Sequence, residues 1–179
     1  RIHGNVFNNK IVLNAASRHC DVFSFNYYQT SLKNVSFSLE VDKPMIIGEF
    51  HFGTGSHGVW GTGLVPASDL QNQADLYGQY VSEALDHPNI VGAHWFQWSD
   101  QMVTGRKDGE NYRIGLVDVT DQPYQEMLTA ISETSQKLYG ARLNTGIRDE
   151  EKMIESRGEA LVYPNPNNGR FIVKLPESK

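Results

Sequence analysis

The sequence predicts an α/β domain built on parallel strands, followed by a charged linker and the start of a small β domain. Three features of the 179 residues point to it: nearly continuous apolar runs, a helical pattern between two of them, and polar or aromatic residues wherever a run ends. Continuous apolar runs are typical of parallel strands that helices cover.

The first elements are a helix within residues 8–20 and a strand over 21–28, which is apolar and becomes polar at its end. A second strand is predicted over 43–51. Pro44 stands at its start, where a missing backbone N–H is tolerated. A glycine-rich loop over 53–63 follows.

A helix is predicted through about Leu85, with N-caps offered by Ala67-Ser68-Asp69, because apolar side chains recur there at helical spacing. A third strand follows over 90–98, then a polar loop over 99–113. The last helix of the domain is expected over 123–139.

The strand and helix order predicts part of a (β/α)₈ barrel over residues 1–140. Three strands are complete in the sequence, and Arg1 to His3 are interpreted as the end of a fourth. Since such a barrel needs eight strands, we expect its C-terminal half, about strands five to eight. Enzymes of this architecture carry their sites where the strands end.

Residues 141–160 have a different character, because nine of these 20 are charged. We interpret 141–159 as a solvated linker. Residues 160–179 then read as a strand, a Pro/Asn/Gly turn and an alternating strand. Because a lone hairpin is barely stable, we expect a truncated β-rich domain here.

Composition limits the partners. The net charge of −5 argues against nucleic acid, which attracts basic surfaces. No apolar stretch reaches the roughly 18 residues of a membrane span. The single cysteine, Cys20, excludes an intrachain disulfide, and we expect it to be a buried thiol.

Glu49 is the main candidate for chemistry, because it ends an apolar strand, where an unpartnered carboxylate is costly to desolvate. Its position suits a nucleophile at a barrel rim, and the alternative is an ordinary charged strand end. Asn26 and Tyr28 share one face of their strand. A Tyr hydroxyl aimed at Glu49 would orient its carboxylate, whereas the alternative for Tyr28 is a cap on the core.

Aromatic and polar side chains also alternate at the end of the third strand. Trp95 and Gln97 should face one way and Trp98 the other, so at least one Trp is expected in the core. An exposed Trp near a carboxylate could stack on a pyranose ring. His51 is a further candidate for positioning substrate or the carboxylate. Because no His-Glu-x-x-His pattern or Cys partner accompanies it, we expect neither a metal nor another cofactor.

Five segments together closely resemble glycoside hydrolase family fifty, the β-agarases, which are retaining (β/α)₈ enzymes. They are KPMIIGEFHFG at 43–53, GLVP at 63–66, VGAHWFQW at 91–98, TGR at 104–106 and DGENYRIGLVD at 108–118. The resemblance implies hydrolysis of β-linked galactose polymers such as agarose.

Residue by residue, the resemblance implies that Glu49 is the nucleophile of strand seven. Tyr28, with Asn26, would support it from strand six, and residues 95–98 on strand eight would help to floor the sugar site. The acid/base Glu of such enzymes follows an Asn at the end of strand four. No equivalent occurs here, so we expect a fragment that is inactive alone.

The run VYPNPNNG at 162–169 resembles the opening of the C-terminal sorting domain of type IX secretion cargo. It implies a secreted or cell-surface protein that the secretion machinery handles through this domain. The usual domain is longer, so this end is expected to be truncated too.

Two alternative functions stay open at this point. One is a β-galactosidase or another exo-glycosidase of the same clan. The other is a non-catalytic carbohydrate-binding protein that keeps the aromatic platform but has no acid/base. An Asn-Glu pair at the end of strand four would favour an enzyme.

Overall fold

A computed structural model describes residues 9–36, 42–157, 161–164 and 171–174. The elements are α1 (Lys10–Ser17), β1 (Phe23–Asn26), β2 (Met45–Phe50), α2 (Leu70–Asp86), β3 (Ile90–Trp95), α3 (Gln125–Arg157), β4 (Leu161–Pro164) and β5 (Phe171–Lys174). The chain divides into two compact units, Arg1–Leu138 and Tyr139–Lys179. No helix within the described ranges has an apolar stretch long enough to cross a membrane.

The first unit is built on a three-stranded sheet in the order β1, β2, β3, and both neighbouring pairs are parallel. The α/β class and the parallel pairing of the three predicted strands are therefore confirmed. The expected strand end at Arg1 to His3 lies outside the described residues.

Helix α2 covers one face of this sheet. Asp69 caps it by accepting a 2.8 Å hydrogen bond from the Asn72 N–H, as the sequence predicted. The core lies between helix and sheet, where the ring of Phe50 stacks on that of Tyr80 with centroids 4.3 Å apart. Burial of the Phe50 side chain contributes about 1.5–3 kcal/mol, which helps to hold the end of β2 next to Glu49.

The last helix is longer than the sequence predicted. Helix α3 begins at Gln125 and continues to Arg157, past the expected end at 139. Most of the segment interpreted as a charged, solvated linker is therefore helical. Its charged residues are mainly Glu, Lys and Arg, which are good helix formers, and no proline interrupts 124–157.

Cys20 is exposed, so the prediction of a buried thiol was wrong. It lies in the short segment between the end of α1 at Ser17 and the start of β1 at Phe23, outside both elements.

The second unit contains the predicted hairpin. Strands β4 and β5 pair antiparallel, with Leu161 opposite Lys174 and Pro164 opposite Phe171. The predicted turn at 165–170 lies outside the described residues.

Candidate active site

Glu49 receives hydrogen bonds from two side chains of the neighbouring strand and its extension. Asn26 Nδ2 lies 2.5 Å and the Tyr28 hydroxyl 2.6 Å from Oε2 of Glu49, and both groups donate. All three residues lie at the carboxyl ends of parallel strands. Charge-assisted bonds of this kind are short and directional, so the carboxylate is held in one orientation.

An irregularity in the strand pairing turns Glu49 toward Asn26. Phe25 pairs with Ile47, but the next residue, Asn26, pairs with Glu49, so Gly48 is an extra residue in β2. Strict alternation from the buried Ile47 would send Glu49 toward α2. The bulge reverses the alternation, and Phe50 packs on α2 instead.

His51 lies in the interior, with only 1% of its surface exposed. Its Nε2 accepts a 2.8 Å hydrogen bond from the Leu64 N–H, so the ring is neutral and carries its proton on Nδ1. Nδ1 lies close to the Phe96 backbone but forms no well-aligned hydrogen bond among the described residues. Burial lowers the pKa of His51 to about 4, which the Phe96 backbone and the Glu49 charge offset only in part.

The position of His51 favours support of the site over substrate contact. Its ring lies 4.7 Å from that of Tyr28, centroid to centroid. Gly63 has a positive φ of 69°, and any Cβ there would collide with Nε2 of His51. The imidazole therefore holds the glycine loop closely against the Tyr28 side of the site.

The side chains at the end of β3 and in the segment after it lie in different surroundings. Trp95 turns toward α2, where its ring packs 5.3 Å from that of Phe50, and its Nε1 donates to the Ile114 carbonyl at 2.8 Å. Trp98 is 67% exposed, beyond the cis peptide bond that joins Phe96 to Gln97. The half-buried Gln97 donates through Nε2 to the Ser99 carbonyl at 3.0 Å. The structure thus gives Trp95, predicted to bind substrate, a place in the core and leaves Trp98 as the available aromatic face.

A buried polar network that sequence reasoning missed braces the two loops of this edge. Arg113 is fully buried, and its Nη1 donates to Oε1 of Gln73 on α2. Gln73 in turn donates 2.7 Å to the carbonyl of Phe52, three residues beyond Glu49. The Arg113 backbone also bonds to Gly61 and Thr54 in the glycine loop, at 2.7 and 3.2 Å.

The Arg113 guanidinium also packs on an aromatic ring. Its guanidinium carbon lies 3.9 Å from the centroid of Tyr124, whose hydroxyl donates 2.6 Å to the buried carboxylate of Asp100. Burial, with the Asp100 carboxylate, raises the pKa of Tyr124, so it stays protonated. The sequence signal was weak, since Arg113 stands between apolar neighbours in a segment assigned to a polar loop.

Comparison with known proteins gives a consistent set of relatives, although no family model matches. The chain is 42% identical over 135 residues to β-agarase B of Vibrio sp. (strain JT0107) and 41% identical over 137 residues to β-agarase A of that strain. These alignments cover 73% and 72% of the chain but only 14% of each relative, so the chain spans about one seventh of their length.

Solved structures agree with the sequence relatives. An exo-β-agarase superposes with a TM-score of 0.70 at 47% identity, over 74% of this chain and 18% of its own. The agarase AgWH50C superposes with a TM-score of 0.71 at 44% identity, over 75% and 20%. Together, the sequence relatives and the solved structures support the assignment of this part of the chain to glycoside hydrolase family fifty, the β-agarase family.

Proposed function

We propose that this chain supplies the nucleophile side of a retaining glycoside hydrolase that cleaves β-linked galactose polymers such as agarose. The observation that carries the proposal is the pair of donors, Asn26 and Tyr28, on one oxygen of Glu49. An oriented carboxylate at the carboxyl ends of parallel strands suits attack on a sugar. The agarase relatives support the substrate class.

In this mechanism a Glu49 oxygen forms a bond to the anomeric carbon. The bond from that carbon to the leaving-group oxygen breaks, and an acid/base carboxyl group protonates the departing oxygen. Water, deprotonated by the same group, then attacks the anomeric carbon, and the bond from that carbon to the Glu49 oxygen breaks, which releases the sugar and regenerates Glu49. A retaining enzyme needs the two carboxyl groups about 5–5.5 Å apart.

The acid/base and the remaining strands are proposed to come from parts of the complete enzyme that this chain does not include. The coverage of one seventh of the relatives' length supports this reading. In it β1, β2 and β3 are strands six, seven and eight of a (β/α)₈ barrel. The 179-residue chain alone should then show no hydrolysis.

The other candidate residues receive separate roles in the proposal. Trp98 offers an exposed ring to a pyranose. Gln97 beside it offers its side-chain amide for hydrogen bonds with sugar hydroxyls. His51 is a positioning residue, because it is buried and contacts Tyr28 and the Leu64 backbone. Trp95 stabilises the core beneath them.

Glu49→Gln in the complete enzyme tests the mechanism. The amide has nearly the same shape but cannot form a stable glycosyl ester, so turnover should almost vanish while folding and agarose binding persist. Glu133→Gln, an exposed change on α3, is the matched control. Wild-type kcat in Glu49→Gln, or labelling of another residue by a mechanism-based fluoro-sugar, would refute the assignment.

The substrate class is tested separately, by comparing agarose with a small aryl galactoside. Oligosaccharides released from agarose support the proposed polymer substrate. Activity on the aryl galactoside alone would favour a β-galactosidase. Binding to agarose with no hydrolysis of either substrate by the complete protein would favour a carbohydrate-binding role.

We also infer that residues 160–179 begin a β-rich sorting domain that directs secretion to the medium or the cell surface. The antiparallel pairing of β4 and β5 supports a β-rich start for such a domain. The sequence of residues 162–169 supports recognition by a type IX secretion system.

A further inference from the structure

Large apolar side chains are exposed at the same edge as Glu49. Trp60, in the loop after β2, is 77% exposed, and it is more exposed than Trp98. Leu64, Met102 and Val103 are also more than half exposed in the two loops that follow β2 and β3. Trp98 has a role in the proposed sugar site, but Trp60 has none. Apolar surface gathered at a site edge is typical of a binding surface.

The backbone that carries Trp60 is anchored on both sides. Before it, the N–H of the buried Val59 donates 3.1 Å to the carbonyl of Ser56. After it, Gly61 pairs with Tyr112, and its carbonyl accepts a 2.7 Å bond from the Arg113 N–H. An indole on a fixed backbone loses little conformational entropy when a ligand stacks on it.

A series of ring contacts leads from the carboxylate to the backbone next to Trp60. The Tyr28 ring, whose hydroxyl binds Glu49, lies 4.7 Å from the ring of His51. That ring lies 6.1 Å from the ring of Tyr112, the strand partner of Gly61. Gly61, the chain neighbour of Trp60, is therefore linked to the Glu49 site through Tyr112, His51 and Tyr28.

We propose that Trp60 is a stacking platform for a sugar ring of the polymer, remote from the bond that is cleaved. The site rests on the proposed function and deepens it, since it selects long galactan chains over short ones. The apolar C–H face of a galactopyranose matches the indole face. A short oligosaccharide that ends before Trp60 would gain nothing from it.

The test uses the complete enzyme with Trp60→Ala, Trp60→Phe and the control Leu128→Ala, which truncates a partly exposed side chain on α3. With Trp60→Ala, KM for agarose should rise about three- to tenfold. On the shortest oligosaccharide that is hydrolysed, kcat and KM should stay within twofold of wild type. Trp60→Phe should recover part of the loss, and Leu128→Ala should change neither substrate.

Acrylamide quenching of Trp fluorescence gives an independent readout. Trp60 should be accessible in the free enzyme and protected when agarose oligosaccharides bind, and Trp60→Phe should lose that protected fraction. An unchanged KM for agarose in Trp60→Ala would overturn the inference about Trp60 and leave the proposed function intact. So would an inaccessible Trp60, which would mean that other parts of the protein cover it. A wild-type enzyme without activity on agarose would refute the proposed function and the Trp60 site together.

Discussion

The Tyr28 hydroxyl donates a 2.6 Å hydrogen bond to Oε2 of Glu49, from the end of one strand to the end of its parallel neighbour. The same oxygen accepts the amide of Asn26 at 2.5 Å. A carboxylate held by two donors from another strand keeps its position only while the pairing of β1 and β2 is intact. The orientation of the proposed nucleophile therefore depends on the pairing of these two strands.

Tyr28→Phe should lower kcat of the complete enzyme about 10- to 100-fold. It removes one hydrogen bond to a charged group, worth about 1.5–3 kcal/mol, and keeps the ring beside His51. Steady-state kinetics with agarose measures the loss. Tyr27→Phe is the matched control, since the Tyr27 ring packs against the core on the other side of the strand. Equal activity of Tyr28→Phe and wild type would contradict the support role.

His51 should make the stability of the fold pH-dependent between about pH 6.5 and pH 4. Burial lowers its pKa from 6.5 to about 4, so in this window the unfolded chain binds a proton that the folded chain excludes. Stability conferred by the neutral ring is therefore complete above pH 6.5 and is lost as the pH falls, by roughly 3 kcal/mol in total.

His51→Gln provides the comparison, because its amide oxygen can accept the Leu64 N–H but does not titrate. Urea unfolding at several pH values should show a flatter dependence of the unfolding free energy in this variant. The control His19→Gln changes an exposed ring and should keep the wild-type slope. The same slope in His51→Gln and wild type would rule out His51 as its source.

The buried contact between Arg113 and Gln73 should appear as an interaction energy in a double-mutant cycle. Either single change to Met leaves a buried polar partner unsatisfied, which costs about 1–3 kcal/mol. The double variant removes both groups. Its loss of unfolding free energy should therefore be smaller than the sum of the losses in the two single variants, by about 1 kcal/mol or more.

The exposed pair Gln71 and Asp75, with a 2.9 Å hydrogen bond, is the control cycle and should be nearly additive. Unfolding free energies from urea titrations give both values. Additivity in the Arg113–Gln73 cycle would show that the two side chains do not stabilise one another.

Deleting everything after about residue 155 of the complete protein should block export and spare hydrolysis. The proposed signal lies in the hairpin segment and the proposed catalytic residues lie in the first unit, Arg1–Leu138. Agarase activity is measured in the medium and in cell lysates of the native host. Normal export of the shortened protein would show that the signal lies elsewhere.

The sequence by itself determined the order of strands and helices, their parallel pairing and the two residues that bond to Glu49. These conclusions rest on local rules: an apolar run is buried, a capping Asp begins a helix, and residues two apart share a face of a strand. Asn26 and Tyr28 follow the last rule and meet at one oxygen. The end of α3 was missed because its charge-rich continuation was interpreted as a linker, although that continuation contains good helix formers.

Only the tertiary structure decided which way the decisive side chains point. Alternation alone would have turned Glu49 into the core, and the bulge at Gly48 is a feature of the pairing of β2 with its neighbouring strands β1 and β3. The separate positions of Trp95 and Trp98 depend on packing against Phe50, and the burial of Arg113 depends on Gln73 and Tyr124. Each of these depends on contacts between residues far apart in the chain, whose register no local pattern specifies.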